Sequence, residues 1–166
     1  MEIENVGAES HAGELTESEK RANVIRLAFG GDDDLFNEFC EWIRVAVPDG
    51  TTAVLRGSSV TGVRYEDGKP FDADGPGTSD LDLTLVGDDV IDFYNVLTGS
   101  YVPGVHTKPM GEDHPDIAPG LVPLREKLVS LVNRPVNIQA SRDFFMYIRG
   151  DILGQPYLTL FGKVGG

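Results

Sequence analysis

Asp80-Leu81-Asp82-Leu83-Thr84-Leu85 alternates polar and apolar side chains without a break. Side chains on a strand point to opposite faces in turn, so this stretch predicts an extended strand with its leucines on one side and Asp80, Asp82 and Thr84 on the other. A rise of about 3.3 Å per residue starts the two carboxylates roughly 6.6 Å apart along one face. Acids spaced this way can converge on a metal pair, whose ions lie about 4 Å apart in phosphoryl-transfer sites. The triplet alone says little, because the chain also has Asp32/Asp34 and Asp72/Asp74 at the same spacing. Its context says more, since an apolar stretch, Thr51 to Arg56, runs into Gly57-Ser58 a short distance upstream.

The rest of the chain supplies helices to cover such a strand. Thr16-Glu17-Ser18-Glu19 has the pattern of a capping box and Gly30-Gly31 that of a stop, which predicts a helix between them. The acids at 32 to 34 suit a second helix start, with Leu35, Phe36, Phe39, Ile43 and Ala46 at helical spacing and Pro48-Asp49-Gly50 closing it. Trp42, Phe36 and Phe39 read as core. Asp89 is placed to cap a helix through Val90 to Leu97, and another helix is expected from Pro123 to Val132, with Leu124, Leu128 and Leu131 on one face. Arg134 to Ser141 reads as a strand, and the segment from Arg142 onward fits either helix or strand. Residues 99 to 119 contain four prolines and three glycines, with Gly120 next, the composition of a long functional loop. The expected architecture is α/β or α+β, a short mixed sheet packed by helices, with strands near 52 to 57, 80 to 86 and 135 to 141. Residues 1–14 read as a flexible acidic tail and 15–166 as a single domain.

Composition bounds the partners. A formal net charge of -13 on 166 residues opposes general affinity for nucleic acid or for an anionic membrane, so a polyanionic ligand calls for a bound cation. Cys40 is the single cysteine, which excludes an intrachain disulfide. The amino end is acidic and has no apolar core, unlike a leader peptide, and no apolar run reaches bilayer length. The expected compartment is the cytoplasm, with no membrane partner.

A glycine at 57 lets backbone approach a ligand, and Ser58, Ser59 and the amides that follow can donate to phosphate oxygens. A hydrophobic strand, Gly-Ser, then Asp-x-Asp flanked by leucines on the next strand resembles the signature of the DNA polymerase β-like nucleotidyltransferase superfamily. The longer run "LRGSSVTG…GKPFDADGPGTSDLDLTLV", followed by "NRPVNIQ", is similar to nucleotidyltransferase-like domains of bacterial polymorphic toxins. The resemblance spans roughly Thr51 to Ser141. It implies that Gly57, Ser58 and Ser59 hold a nucleoside triphosphate and that Asp80 and Asp82 are catalytic and bind Mg²⁺ or Mn²⁺. The implied reaction moves a nucleoside monophosphate to an acceptor hydroxyl on RNA, protein or a small molecule.

Two features depart from the family pattern. The loop between Gly-Ser and Asp-x-Asp is long, and the position matching a third carboxylate is Asn137, which offers an oxygen ligand but no charge. A catalytically inactive nucleotide-binding or interaction module, toxin-related, is therefore the alternative, and a carboxylate such as Asp143 or Glu126 beside the pair would favour the enzyme. Three other patterns weigh less. Asp72, Asp74, Gly77 and Asp80 mimic a calcium loop, but Leu83 stands where its bidentate glutamate belongs. His106 and His114 with Glu112, Asp113 and Asp116 lack the spacing of a zinc site. Arg125, Lys127 and Arg134 either face the cleft or form the wet side of a helix, and Lys108 either reaches a triphosphate or is solvated.

Overall fold

A computed structural model describes residues 15–64, 66–142 and 156–162. The tail at 1–14 and Asp143 lie outside the described residues. Helix α1 (Glu17–Ala28) starts at Thr16 through the expected reciprocal bonds with Glu19. Asp32 caps α2 (Asp33–Ala46) by accepting from the Leu35 amide. Strand β1 (Thr52–Arg56) leads into a four-residue helix, α3 (Ser58–Thr61), and then comes β2 (Leu81–Val86). Strands β3 (Ser100–Val102) and β4 (His106–Thr107), helix α4 (Val122–Val132), β5 (Val136–Ser141) and β6 (Tyr157–Phe161) follow.

The six strands form one mixed sheet in the order β3-β4-β5-β2-β1-β6, so the fold is α+β. Strand β2 pairs antiparallel with β1 and parallel with β5, placing Arg56, Asp82 and Asn137 in one row across the three central strands. Strand alternation then assigns the faces. Leu55, Leu81, Leu83, Leu85, Val136 and Ile138 point one way and are buried with Val24, Phe36, Phe39, Ile43, Leu124 and Leu128 from the helices. Val54, Thr84 and Gln139 point the other way, in line with the row of polar residues above them. No helix among the described residues is long and apolar enough to cross a membrane.

Three local expectations change and one open alternative is decided. Asp89 makes no side-chain cap, and only a 3-10 turn, Val90–Phe93, forms where a longer helix is predicted. Residues 99 to 119 are not irregular throughout: they contain β3 and β4, and Met110 bridges Ile138 to run the chain along the edge of β5. The segment after Arg142 supplies a strand, β6, where it is described. Trp42 is 40% exposed rather than core, since it lies about 100° round the helix from Ile43. Its indole donates to Glu38 and carries the Lys127 ammonium 4.8 Å above the ring.

Candidate functional site

The turn after β1 and the start of β2 meet because the two strands are antiparallel, which brings the carboxyl end of one to the amino end of the other. Gly57 has φ +96, a left-handed conformation that L side chains rarely adopt. A Cβ at Gly57 would lie 3.0 Å from Asp82 Oδ2, so glycine is needed for backbone and carboxylate to approach this closely. Gly57, Ser58, Asp80 and Asp82 line one cleft of about 510 Å³. Asp80 precedes β2 by one residue and is exposed, while Asp82 lies within the strand and is partly buried. Ser59 sits behind the turn, 1% exposed, and its hydroxyl has no hydrogen-bond partner among the described residues.

Asn137 joins the two acids. Its Nδ2 donates to Asp80 Oδ2 at 2.7 Å and to Asp82 Oδ1 at 3.4 Å. Chemistry fixes this amide orientation, because the reverse would set Oδ1 against two carboxylates. Behind it, a Cβ on Gly111 would lie 2.5 Å from Asn137 Oδ1, so the glycine makes room for the amide. Asn137 thus stands beside the pair, as the sequence suggests, but as a donor.

Burial first, and then the neighbouring Asp80, push the Asp82 carboxyl up to about 6; Arg56 and the Asn137 amide oppose the rise. Arg56 lines the cleft and reaches across to Gln139 Oε1 at 3.2 Å. Gln139 in turn donates to Thr107 O, which ties this part of the row to the edge strands.

The remaining wall comes from the long loop between Gly62 and Asp80, whose Arg64, Glu66, Asp67, Thr78 and Ser79 line the cleft. Asp72 holds that loop in place. It accepts both terminal nitrogens of Arg134 at 2.8 and 3.1 Å and the amides of Gly77 and Ser79. The Arg134 bond, with the two amides, draws the Asp72 carboxyl down to about 2 against the smaller effect of burial. Arg134 also donates to Ser79 O and stacks 4.5 Å over Phe71. Asp74 pairs instead with Arg64 at 2.7 Å. Two of the three acids of the calcium-like pattern are therefore occupied by arginines, and the third, Asp80, accepts from Asn137.

Several candidates stand elsewhere. Arg134 clamps the loop rather than facing the cleft, and Lys127 lies on Trp42. Lys108 is exposed and Glu126 lies exposed on α4; neither lines the cleft. The carboxylates that do join Asp80 and Asp82 in the cleft wall are Glu66 and Asp67, and Glu66 adds to the upward push on Asp82. No motif marks Glu66 in the sequence; only the folding back of the loop brings it here.

Two carboxylates on one rim suit a hard divalent cation such as Mg²⁺, which takes few protein oxygens and completes its shell with water and substrate phosphates. No three His, Cys, Asp or Glu side chains among the described residues form a metal-binding group. Asn137 could add an oxygen only by turning its amide. The donor set therefore fits a cation shared with a ligand better than one held by protein alone. No family model matches the chain, and searches of the curated proteins and of the solved structures return no significant match.

Proposed function

We propose that this chain is a metal-dependent nucleotidyltransferase. The observation that carries the reading is that the Gly57-Ser58 turn and the Asp80/Asp82 pair line one cleft, with Gly57 touching Asp82 so closely that no side chain fits between them. In this reading the amides after Gly57 and the Ser58 hydroxyl bind the triphosphate, and Asp80 and Asp82 hold Mg²⁺ or Mn²⁺. The metal would offset phosphate charge that a chain of net charge -13 otherwise repels. An acceptor oxygen attacks the α-phosphorus, the bond to the β-phosphate breaks, pyrophosphate leaves and the hydroxyl proton passes to solvent. Arg56 and Arg64 in the cleft wall face the departing charge. Incubation with four labelled nucleoside triphosphates, Mg²⁺ and a lysate should label one acceptor, and Asp82→Asn should abolish the label. Failure of a nucleoside triphosphate with Mg²⁺ to raise the melting temperature at millimolar concentration would sink the proposal.

Asn137 favours a second reading, a nucleotide-binding module without turnover, because a neutral donor occupies the place of a third carboxylate. Asn137→Asp separates the two. A gain of transfer activity marks the natural chain as a binding module, whereas a loss makes the asparagine part of a working site.

A further inference from the structure

A second concavity flanks the carboxylate pair. This groove of about 430 Å³ is lined by Gly77, Glu112, Arg125, Asn133, Arg134 and Pro135 along with Val129. It shares no lining residue with the first cleft. The sheet order separates them: Arg56 and Gly57 bring the first cleft to the β1 side of β2, while Pro135 and α4 put the groove on the β5 side. Between them run Thr78, Ser79 and Asp80, joined to the groove wall by Arg134 donating to Ser79 O and by the Leu81 amide donating to Pro135 O. Glu112 enters the groove next to Gly111, which backs Asn137.

Arg125 is the unusual group here. Its Nε donates to Val136 O at 2.8 Å, which fixes the plane of the guanidinium. Its terminal nitrogens meet no carboxylate among the described residues, although the chain has 27 acids to 14 lysines and arginines. Beside it, Arg134 is 9% exposed, and its Nε has no hydrogen-bond partner among the described residues. Glu112 likewise makes no side-chain bond among those residues, although it shares the groove with Arg125. A planar guanidinium held at one nitrogen and open at two is preorganised for a two-oxygen anion. A carboxylate across the same groove favours a cation or hydroxyl donor next to that anion, and it disfavours a polyanion.

In-line transfer needs the acceptor to approach from the side opposite the leaving pyrophosphate. With the nucleotide in the first cleft, the groove lies on the other side of Asp80. We propose that the groove is the acceptor site, taking a small molecule or chain end that presents one carboxylate or phosphate to Arg125 and an ammonium or hydroxyl to Glu112. This rests on the nucleotidyltransferase reading for the word acceptor, but not for the binding site itself.

The test uses the full chain and three probes: glycine, acetate and inorganic phosphate. Each is titrated while the Arg125 Nε–H resonance is followed by NMR, with a separate titration of nucleoside triphosphate and Mg²⁺. Glycine is expected to shift that resonance saturably, with Kd on the order of millimolar for one charge-assisted fork. Arg125→Gln, followed through the backbone amides of Asn133, Arg134 and Val136, should weaken binding at least tenfold. Glu112→Gln should weaken glycine but not acetate. Comparing acetate with phosphate identifies the anion. If Arg125→Gln does not fold, Arg125→Lys keeps the charge without the fork and should still weaken the carboxylate probe. Absence of a saturable shift with all three probes, or equal binding by the Arg125 variant, overturns the site. Nucleotide binding without groove binding defeats this inference alone; groove binding without nucleotide binding defeats the transferase reading and the acceptor role with it.

Discussion

Asp82→Asn should stabilise the metal-free protein while removing its proposed activity. Partial burial and Asp80 raise the Asp82 carboxyl from an ordinary 3.8 to about 6, so the ionised form is disfavoured in the fold by at most about 3 kcal/mol. Solvent screening of a partly exposed group reduces that to about 1–2 kcal/mol. The folded chain binds the proton more tightly than the unfolded one, so this cost is absent below about pH 4, grows as pH rises to about 6 and is constant above. Asparagine keeps the volume and an oxygen that can accept from Asn137. The variant should therefore match wild type at pH 4 and melt about 3–6 °C higher at pH 7.5, for a chain of this length. Thermal melts of both proteins in chelator across that range isolate the difference, because all other titrating groups are common to both. A variant less stable than wild type at pH 7.5, or a difference that does not vary with pH, would refute the reasoning.

Gly57→Ala forces a left-handed backbone on alanine and drives a methyl to 3.0 Å from Asp82 Oδ2; urea titration should show a loss above about 1 kcal/mol, with nucleotide-dependent stabilisation abolished. Gly111→Ala places its methyl 2.5 Å from Asn137 Oδ1 and should cost about 1–3 kcal/mol by overpacking, visible in thermal melts and as a shifted Asn137 side-chain amide in NMR spectra. Asp72→Asn releases the loop from Arg134. Because the Asp72 carboxyl lies at about 2 in the fold, its stabilisation is present above about pH 4 and fades as pH falls toward 2, and at pH 7 the variant should lose about 1–2 kcal/mol after screening. Limited proteolysis should then cut between residues 62 and 79 faster than in wild type.

The sequence is most legible where a local pattern decides the structure. The capping box at Thr16, the turn at Gly57 and the alternation from Asp80 to Leu85 each work within a few residues, and the helix end and strands appear where expected. The Asp pair and the glycine beside it are legible for the same reason. Residues depending on distant partners are not. Arg64, Glu66 and Asp67 reach the cleft through the folding of a loop that Arg134, 62 residues from Asp72, helps to pin. The apolar spacing of α2 places Phe36, Phe39 and Ile43 correctly, but it cannot say how far round the helix the core extends, and Trp42 falls outside it. Asn137 marks a missing charge in the sequence; that its amide would bridge both acids depends on the β2–β5 register.

The parallel pairing of β2 with β5 also bears on when the site forms. Asp82 and Asn137 are 55 residues apart, and contacts at such separation lose more chain entropy before they are rewarded than the neighbouring β1–β2 hairpin does. As the chain leaves the ribosome, β1 and β2 can pair early, exposing two adjacent carboxylates with no amide between them. Completion waits for α4 to swing β5 alongside. On the proposed reading, a nascent chain carries the turn and both acids before the fifth strand is made, but the amide that bridges them, and with it the finished site, waits until most of the fold is in place.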